Sequence, residues 1–148
     1  MIVMPRKRIL VPVKPASNHS KAISVALTLA KELNAELHFI TILPREEVKI
    51  SREEAVAELA HNVKTCLENN VKATYDLIHT DKKEENISEE LSKIAEKFDL
   101  VVMGHTQYDP IYRFLRRSPT IELINKVSNT PVLVIPEAPP PMKKLKSI

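Results

Sequence analysis

The 148-residue chain contains a single glycine, Gly104, although average usage of roughly 7% would supply about ten. Most turns must therefore be made by other residues that tolerate left-handed backbone. Asparagine is the best substitute, and it follows three of the helices predicted below, at Asn34, at Asn69 and Asn70, and at Asn129. We expect these residues to end their helices in the left-handed conformation.

Cysteine is equally scarce. Cys66 is alone, so an internal disulfide is excluded, and its place in a helical pattern predicts a core residue. The five histidines form no HExxH motif and none is spaced with a cysteine as metal ligands are, so metal binding is not expected. The sequence also lacks a G-x-S-x-G elbow and a phosphate-binding G-x4-G-K-[ST] loop. We therefore expect no enzymatic activity.

No apolar run approaches the roughly 20 residues that span a bilayer, and no apolar signal segment follows Met1. These absences predict a cytoplasmic protein that is not embedded in a membrane. The net charge of +3 is not a strong signal, because the basic residues are spread along the chain and the tail around Lys143 to Lys146 supplies much of the excess. A nucleic-acid partner is not expected.

The sequence alternates between short apolar runs and segments of helical periodicity. Strands are predicted at 8–13, 36–43, 72–80, 99–104 and 131–135, and helices are predicted to begin after caps at Ser17 or Asn18, at Ser51, at Asn86 and at Ser118. Leu33 and Leu67 are expected on the inward faces of the first two helices. The alternation predicts an α/β fold with one doubly wound, five-stranded parallel sheet and helices on both faces.

The domain boundary is predicted from proline. Residues 1–137 are expected to form one α/β domain, because a chain of this length buries enough surface for one core. Residues 138–148 are rich in proline and lysine, and consecutive prolines cannot donate to a central strand. We expect this tail to be disordered.

In such a fold, ligands bind at the carboxyl ends of strands near a topological switch point. The candidate binding residues end or follow the first and fourth strands, or lie at the start of the last helix: Pro12, Val13, Lys14, Met103, Gly104, His105, Gln107, Arg117 and Ser118. Gly104 either ends a strand in a plain turn or lets a ligand approach the backbone. Ser118 either caps its helix or, with the neighbouring arginines, forms an anion seat.

Three motifs carry a family resemblance. The runs ILVPV at 9–13, DLVVMG at 99–104 and TPVLVIP at 130–136 resemble the universal stress protein family, and the match extends over residues 6 to 136. The resemblance implies a Rossmann-like fold, a regulatory role in stress response and a homodimer that pairs through its last strand. In members that bind ATP, an acidic residue follows the first strand, and a G-x2-G-x9-G-[ST] motif after the fourth strand holds the phosphates.

This sequence departs from the family's nucleotide motif at three positions. When Gly104 and Ser118 are aligned with the motif, Gln107 and Arg117 replace glycines, and Lys14 replaces the acidic residue. The side chains would occupy space that phosphate needs, and a lysine cannot accept hydrogen bonds from a ribose or adenine. We therefore expect no family-style ATP binding and leave the ligand open. Lys14 and Arg117 would also suit a different anion.

Three interpretations of function remain open at this point. The first is a homodimeric regulatory protein that acts through protein partners and pairs through the edge formed by Val132, Leu133 and Val134. The second is an ATP-binding or slowly ATP-hydrolysing nucleotide switch. The third is a sensory domain associated with a transporter, which binds another anionic nucleotide.

Overall fold

The computed structural model describes residues 6–15, 17–44, 51–80, 87–105 and 130–138. Its strands and helices, in chain order, are β1 (Arg8–Pro12), α1 (Ser20–Leu33), β2 (Glu36–Pro44), α2 (Arg52–Glu68), β3 (Ala73–Thr80), α3 (Ile87–Ala95), β4 (Leu100–His105) and β5 (Val132–Pro136). The helix predicted after Ser118, the cap predicted at Asn86, the turn at Asn129 and the tail beyond residue 138 lie outside the described residues.

The strands form one sheet in the order β3-β2-β1-β4-β5, and every neighbouring pair is parallel. The chain builds outward from β1 to β2 and β3, and then crosses to the other side of β1 for β4 and β5. The junction of β1 and β4 is therefore the topological switch point of a doubly wound sheet. The predicted parallel α/β fold is confirmed.

Alternate residues of the central strands enter two separate cores. Val11 points to the face covered by α1 and α2, where Phe39 and Val102 are also buried. Leu10 points to the opposite face, where it packs with Ile40 and with residues of α3. Because helices cover both faces of the sheet, successive residues of a central strand are buried, and its sequence is a continuous apolar run. In the described part of the chain, no helix is long and apolar enough to cross a membrane.

The predicted core is confirmed at Cys66 and wrong at two leucines. Cys66 is fully buried in the core beneath α2. Leu33 and Leu67, expected to face inward, are 46% and 56% exposed. Each lies in the last turn of its helix, where Ala30 in α1 and Cys66 in α2 already occupy the position against the sheet. Periodicity alone does not reveal where a helix stops facing the sheet.

Asparagine replaces glycine at two helix ends. Asn34 follows α1 with φ 52°, and Asn70 follows α2 with φ 61°, so both adopt the predicted left-handed conformation. The same prediction for Asn69 is wrong, since its φ is −101°; it directly follows α2, and its amide donates to the Cys66 and Leu67 carbonyls. One left-handed residue is enough to reverse the chain after each helix.

The first turns of α1 and α2 are built differently. Ser51 caps α2 as predicted, because its Oγ accepts a hydrogen bond from the Glu54 amide at 3.1 Å. The caps predicted for α1 at Ser17 or Asn18 are wrong. The residue before α1 is His19, whose side chain makes no cap bond, and Asn18 Oδ1 instead accepts from the amide of Ser20 at 3.0 Å. The first turn of α1 needs another source of acceptors.

Candidate functional site

The predicted ligand edge lies where β1 and β4 separate. Their ladder contains two registered pairs, Ile9 with Leu100 and Leu10 with Val101, whereas β4 and β5 share five pairs. Pairing at the switch point thus stops before the carboxyl ends of β1 and β4. The segments 12–14 and 103–105, which the sequence predicted to be adjacent, meet at this edge.

The segment after β1 is held by three hydrogen bonds. The Val13 amide donates to the carbonyl of Ile40 at 2.9 Å, and the buried Thr41 hydroxyl donates to the Val13 carbonyl at 3.0 Å. The Lys14 amide donates to Nε2 of His19 at 2.9 Å. The same Nε2 atom lies 3.2 Å from the Lys14 carbonyl oxygen, so the His19 ring contacts both backbone polar groups of Lys14. These bonds fix the backbone of half-buried Lys14 at the rim of the switch point.

Gly104 is not required for a left-handed turn, because its φ is not positive. It is required for close packing. A Cβ atom built on Gly104 would lie 2.9 Å from Cγ and 3.1 Å from Oε2 of Glu137, and 3.3 Å from Nδ1 of His19. Contacts below about 3 Å force atoms to shift. The lack of a side chain at Gly104 thus leaves space for the carboxylate of Glu137, the residue directly after β5.

The Glu137 carboxylate caps α1. Its Oε1 accepts from the Lys21 amide at 3.0 Å, and its Oε2 accepts from the Ala22 amide at 2.7 Å. Glu137 is 6% exposed, and its own amide donates to the His105 carbonyl at 2.9 Å. A buried carboxylate needs this kind of compensation, and the positive end of the helix dipole supplies it.

The sequence explains why the cap comes from so far away. The first turn of α1 has no acidic residue and no side-chain cap from the residue before it. The amino end of α1 and the carboxyl end of β5 lie at the same edge of the sheet, so a carboxylate just after β5 reaches the helix. We did not predict this role. The available signal was a helix start without an acid, combined with an acidic residue directly after the last strand.

The structure brings together part of the predicted site. Lys14, Gly104 and His105 lie at the switch-point edge, and Pro12 and Val13 form the backbone that leads to it. Met103 is 7% exposed and packs in the core beneath α3, so its side chain is structural. Three further predicted residues, Gln107, Arg117 and Ser118, lie outside the described residues.

A cavity of about 350 Å³ opens beside this edge, between α1 and α2. Val13, Ile23 and Ala57 form an apolar part of its wall, and the polar residues that line it are Ser17, His19, Glu58, His61 and Asn62. Such a cavity suits a compact ligand with an apolar body and a polar rim. Among the described residues, no group of three or more His, Cys, Asp or Glu side chains is placed to hold a metal ion.

A parallel sheet in the order 3-2-1-4-5, with polar loops at its switch point, defines a doubly wound α/β domain of the kind that binds ligands at one sheet edge. The family can also be identified. The sequence model of the Universal stress protein family matches residues 5–136, and the chain belongs to that family. No curated protein sequence matches the chain.

Solved structures share the fold at low sequence identity. A universal stress protein from Archaeoglobus fulgidus in complex with dAMP has a TM-score of 0.65 and 20% identity, covering 89% of this chain and 99% of its own. A universal stress protein family member from Burkholderia pseudomallei gives 0.60 and 20%, covering 88% and 96%. A universal stress protein in complex with cAMP gives 0.65 and 19%, also covering 88% and 96%.

Proposed function

We propose that this chain is a non-enzymatic regulatory protein of the stress response that does not hold ATP in the manner of the family's ATP-binding members. The observation that carries the proposal is the Glu137 carboxylate packed against Gly104. A phosphate brought close to the Gly104 backbone from the α1 side would meet a buried carboxylate. At an effective dielectric constant of about 20, two like charges about 4 Å apart repel by roughly 4 kcal/mol.

The substitutions in the nucleotide motif support the same conclusion. Lys14 follows β1 where ATP-binding members carry an acidic residue, and its backbone is fixed at the rim by the bond to His19. Gln107 and Arg117 replace two glycines of the motif. Each change removes either a hydrogen-bond acceptor or space near the expected nucleotide.

The test is isothermal titration of the nucleotide-stripped protein with ATP and Mg²⁺, AMP and a cyclic dinucleotide. We expect no saturable ATP binding below about 1 mM, which corresponds to about −4 kcal/mol. The variant Lys14→Asp/Gln107→Gly/Arg117→Gly restores the motif and is expected to gain affinity. Replacing Lys14→Asp by Lys64→Asp in the same triple variant keeps the net charge and serves as the control, because Lys64 lies on the exposed surface of α2.

Micromolar ATP binding by the unmodified chain would overturn the proposal and establish the second candidate, a nucleotide switch. That candidate is favoured by the solved universal stress proteins described as complexes with dAMP and cAMP. A slow ATPase would additionally release phosphate in proportion to protein concentration. The regulatory proposal expects no such release.

We also propose that the protein is a homodimer joined through β5. In the described part of the sheet, β5 pairs with β4 on one side and forms the sheet edge on the other. Leu133, the second residue of the strand, is 39% exposed, and Val132 and Val134 flank it. An apolar edge strand presents backbone donors and acceptors that a second copy can pair with.

Sedimentation equilibrium tests the dimer with a matched pair of variants. Leu133→Arg is expected to shift the mass toward the monomer, because the charge is placed in the paired edge. Leu67→Arg introduces the same charge at an exposed leucine of α2 and is expected to leave the mass unchanged. A monomeric unmodified chain, or equal behaviour of the two variants, contradicts the interface.

The proposed place of action is the cytoplasm, in contact with a protein partner. The single buried thiol is consistent with a reducing compartment, where structural disulfides are rare. Affinity capture from separate soluble and membrane fractions distinguishes two kinds of partner. Specific recovery of a transporter from the membrane fraction favours the sensory-domain alternative, and a partner recovered only from the soluble fraction opposes it.

A further inference from the structure

A second cavity lies at the opposite edge of the sheet from the switch-point residues. Its volume is about 380 Å³, and it opens where the carboxyl ends of α1 and α2 meet the segments leading into β1 and β3. The lining residues that matter for charge are Arg6, Lys31 and Lys72, and the polar ones are Asn34, Asn69 and Asn70. The volume falls within the range of roughly 300 to 1,000 Å³ that is usual for small-molecule sites.

The charges around this cavity are of one sign. No carboxylate lines it, and in the described part of the chain neither Arg6 nor Lys31 has an ion-pair partner. The Lys72 ammonium is 3.7 Å from Glu36, and the Lys72 side chain is 64% exposed. A contact of this length at the surface is weak. Three cations therefore surround one cavity with little internal compensation.

The helix ends do not cancel this positive charge. The Ala30 carbonyl near the end of α1 accepts from the amides of Asn34 and Ala35, and the Cys66 carbonyl near the end of α2 accepts from Asn69 and Val71. Each helix end is equivalent to about −0.5 of an elementary charge, so the two ends together offset about one of the three cations. Only Lys31 is a basic residue in the last turn of either helix, so helix capping does not account for Arg6 and Lys72.

We propose that this cavity binds a small phosphorylated molecule with at least two phosphate groups. Arg6 offers a planar guanidinium fork, and Lys31 and Lys72 offer point charges, which is the combination that recognises phosphate oxygens. The side chains of Asn34 and Asn70 add neutral donors at the rim, whereas the Asn69 side-chain amide donates to the Thr65 carbonyl at 2.8 Å. The site is separate from the switch point, and it stands whether or not the latter binds a nucleotide.

Pyrophosphate is the probe for this site. Isothermal titration of the full chain at low ionic strength is expected to show saturable binding that weakens as salt rises, because exposed charges are screened within about 8 Å at 0.15 M. Thermal denaturation measured in parallel is expected to show a rise in Tm with pyrophosphate concentration. Citrate is titrated in the same way to compare a polycarboxylate with a phosphate, and we expect it to bind more weakly than pyrophosphate.

Charge-matched variants assign the binding to the cavity. The triple variant Arg6→Gln/Lys31→Gln/Lys72→Gln is expected to lose at least about tenfold in affinity, or about 1.4 kcal/mol. The control Lys64→Gln/Lys93→Gln/Lys97→Gln removes the same charge from exposed positions elsewhere and is expected to bind within about twofold of the unmodified chain. Far-ultraviolet circular dichroism checks that both triple variants are folded. If one triple variant is unfolded, its three single variants are measured in its place.

Four outcomes would overturn the proposal. The first is an absence of saturable pyrophosphate binding at low salt. The second is an equal loss in both triple variants, which would mean that net charge alone attracts the anion. The third is a loss caused by Lys14→Gln but not by the cavity variants, which would place the anion at the switch point. The fourth is tighter binding of citrate than of pyrophosphate, which would indicate that the ligand is a polycarboxylate and not a phosphorylated molecule.

Discussion

Gly104 and Glu137 are packed so closely that a Cβ atom on residue 104 would lie 2.9 Å from the Glu137 Cγ. The only glycine of the chain is thus explained by a contact within the domain. The carboxylate that needs this space makes hydrogen bonds of 3.0 and 2.7 Å to the first turn of α1. Gly104, Glu137 and α1 form one packing unit at the switch-point edge.

The first prediction concerns this packing. Gly104→Ala is expected to destabilise the protein by about 2 kcal/mol, because the methyl group displaces the Glu137 side chain from α1. In a Glu137→Ala background the same change is expected to cost at least about 1 kcal/mol less. Urea denaturation of the four proteins in this cycle measures the coupling. Strict additivity would show that Gly104 is not there to accommodate Glu137.

The second prediction concerns the cap itself. Glu137→Ala is expected to lower the free energy of unfolding by about 2 kcal/mol, since two amides of α1 lose a buried, charged acceptor. Glu137→Gln keeps an acceptor and is expected to cost less than Glu137→Ala. Glu96→Ala removes an exposed carboxylate just past α3 and is the control. If Glu96→Ala costs as much as Glu137→Ala, the cap contributes nothing specific.

The third prediction concerns the asparagine turn after α1. Asn34 has φ 52°, so Asn34→Ala is expected to destabilise by about 1 kcal/mol, whereas Asn34→Gly is expected to be neutral or slightly stabilising. Asn69, with φ −101°, provides the comparison, and glycine there is expected to give no benefit. Thermal denaturation ranks the variants. A gain from glycine at 69 but not at 34 would contradict the assigned backbone.

Much of the fold follows from local pattern. The apolar runs and the helical periodicity between them predict the order of elements, because each strand and helix is specified by its own residues. Asn34 is equally local, since a left-handed position follows directly from the end of a helix in a chain with one glycine. The exposure of Leu33 and Leu67 was not predictable, because the extent of contact with the sheet is set by tertiary packing.

The site was less accessible to sequence analysis. The meeting of segments 12–14 and 103–105 followed from the parallel topology. The Glu137 cap did not, because its bond to Ala22 joins residues 115 positions apart and no local pattern specifies such a pair. The Gly104 backbone is closely approached, as one interpretation of the sequence proposed, but the approaching group is the Glu137 side chain and not a ligand.

The fourth prediction concerns Cys66. Burial raises the pKa of this thiol from 9.0 to about 11. The native state therefore keeps the proton between pH 9 and 11 while the unfolded state loses it, so the contribution of Cys66 to stability is full below pH 9 and falls as pH rises toward 11. The loss is on the order of 2 kcal/mol.

Urea midpoints measured at pH 8.5 and pH 10.5 test this dependence. Cys66→Ala is the control, because it keeps the helix and removes the titrating group, and its stability is expected to fall less over the same interval. Native Cys66 is also expected to resist alkylation at pH 8, since only the thiolate of an accessible cysteine reacts quickly. Rapid labelling of the folded protein, or identical pH profiles, would show that the thiol is not protected.

The distance along the chain between Glu137 and α1 also constrains how the protein is made. Residues 20–33 leave the ribosome early, but the acceptor for the first turn of α1 arrives 115 residues later, after every strand has been synthesised. Until then the amides of Lys21 and Ala22 lack this acceptor, and a nascent chain that stops before residue 137 cannot supply it. This cap on α1 can therefore form only after β5 has paired with β4.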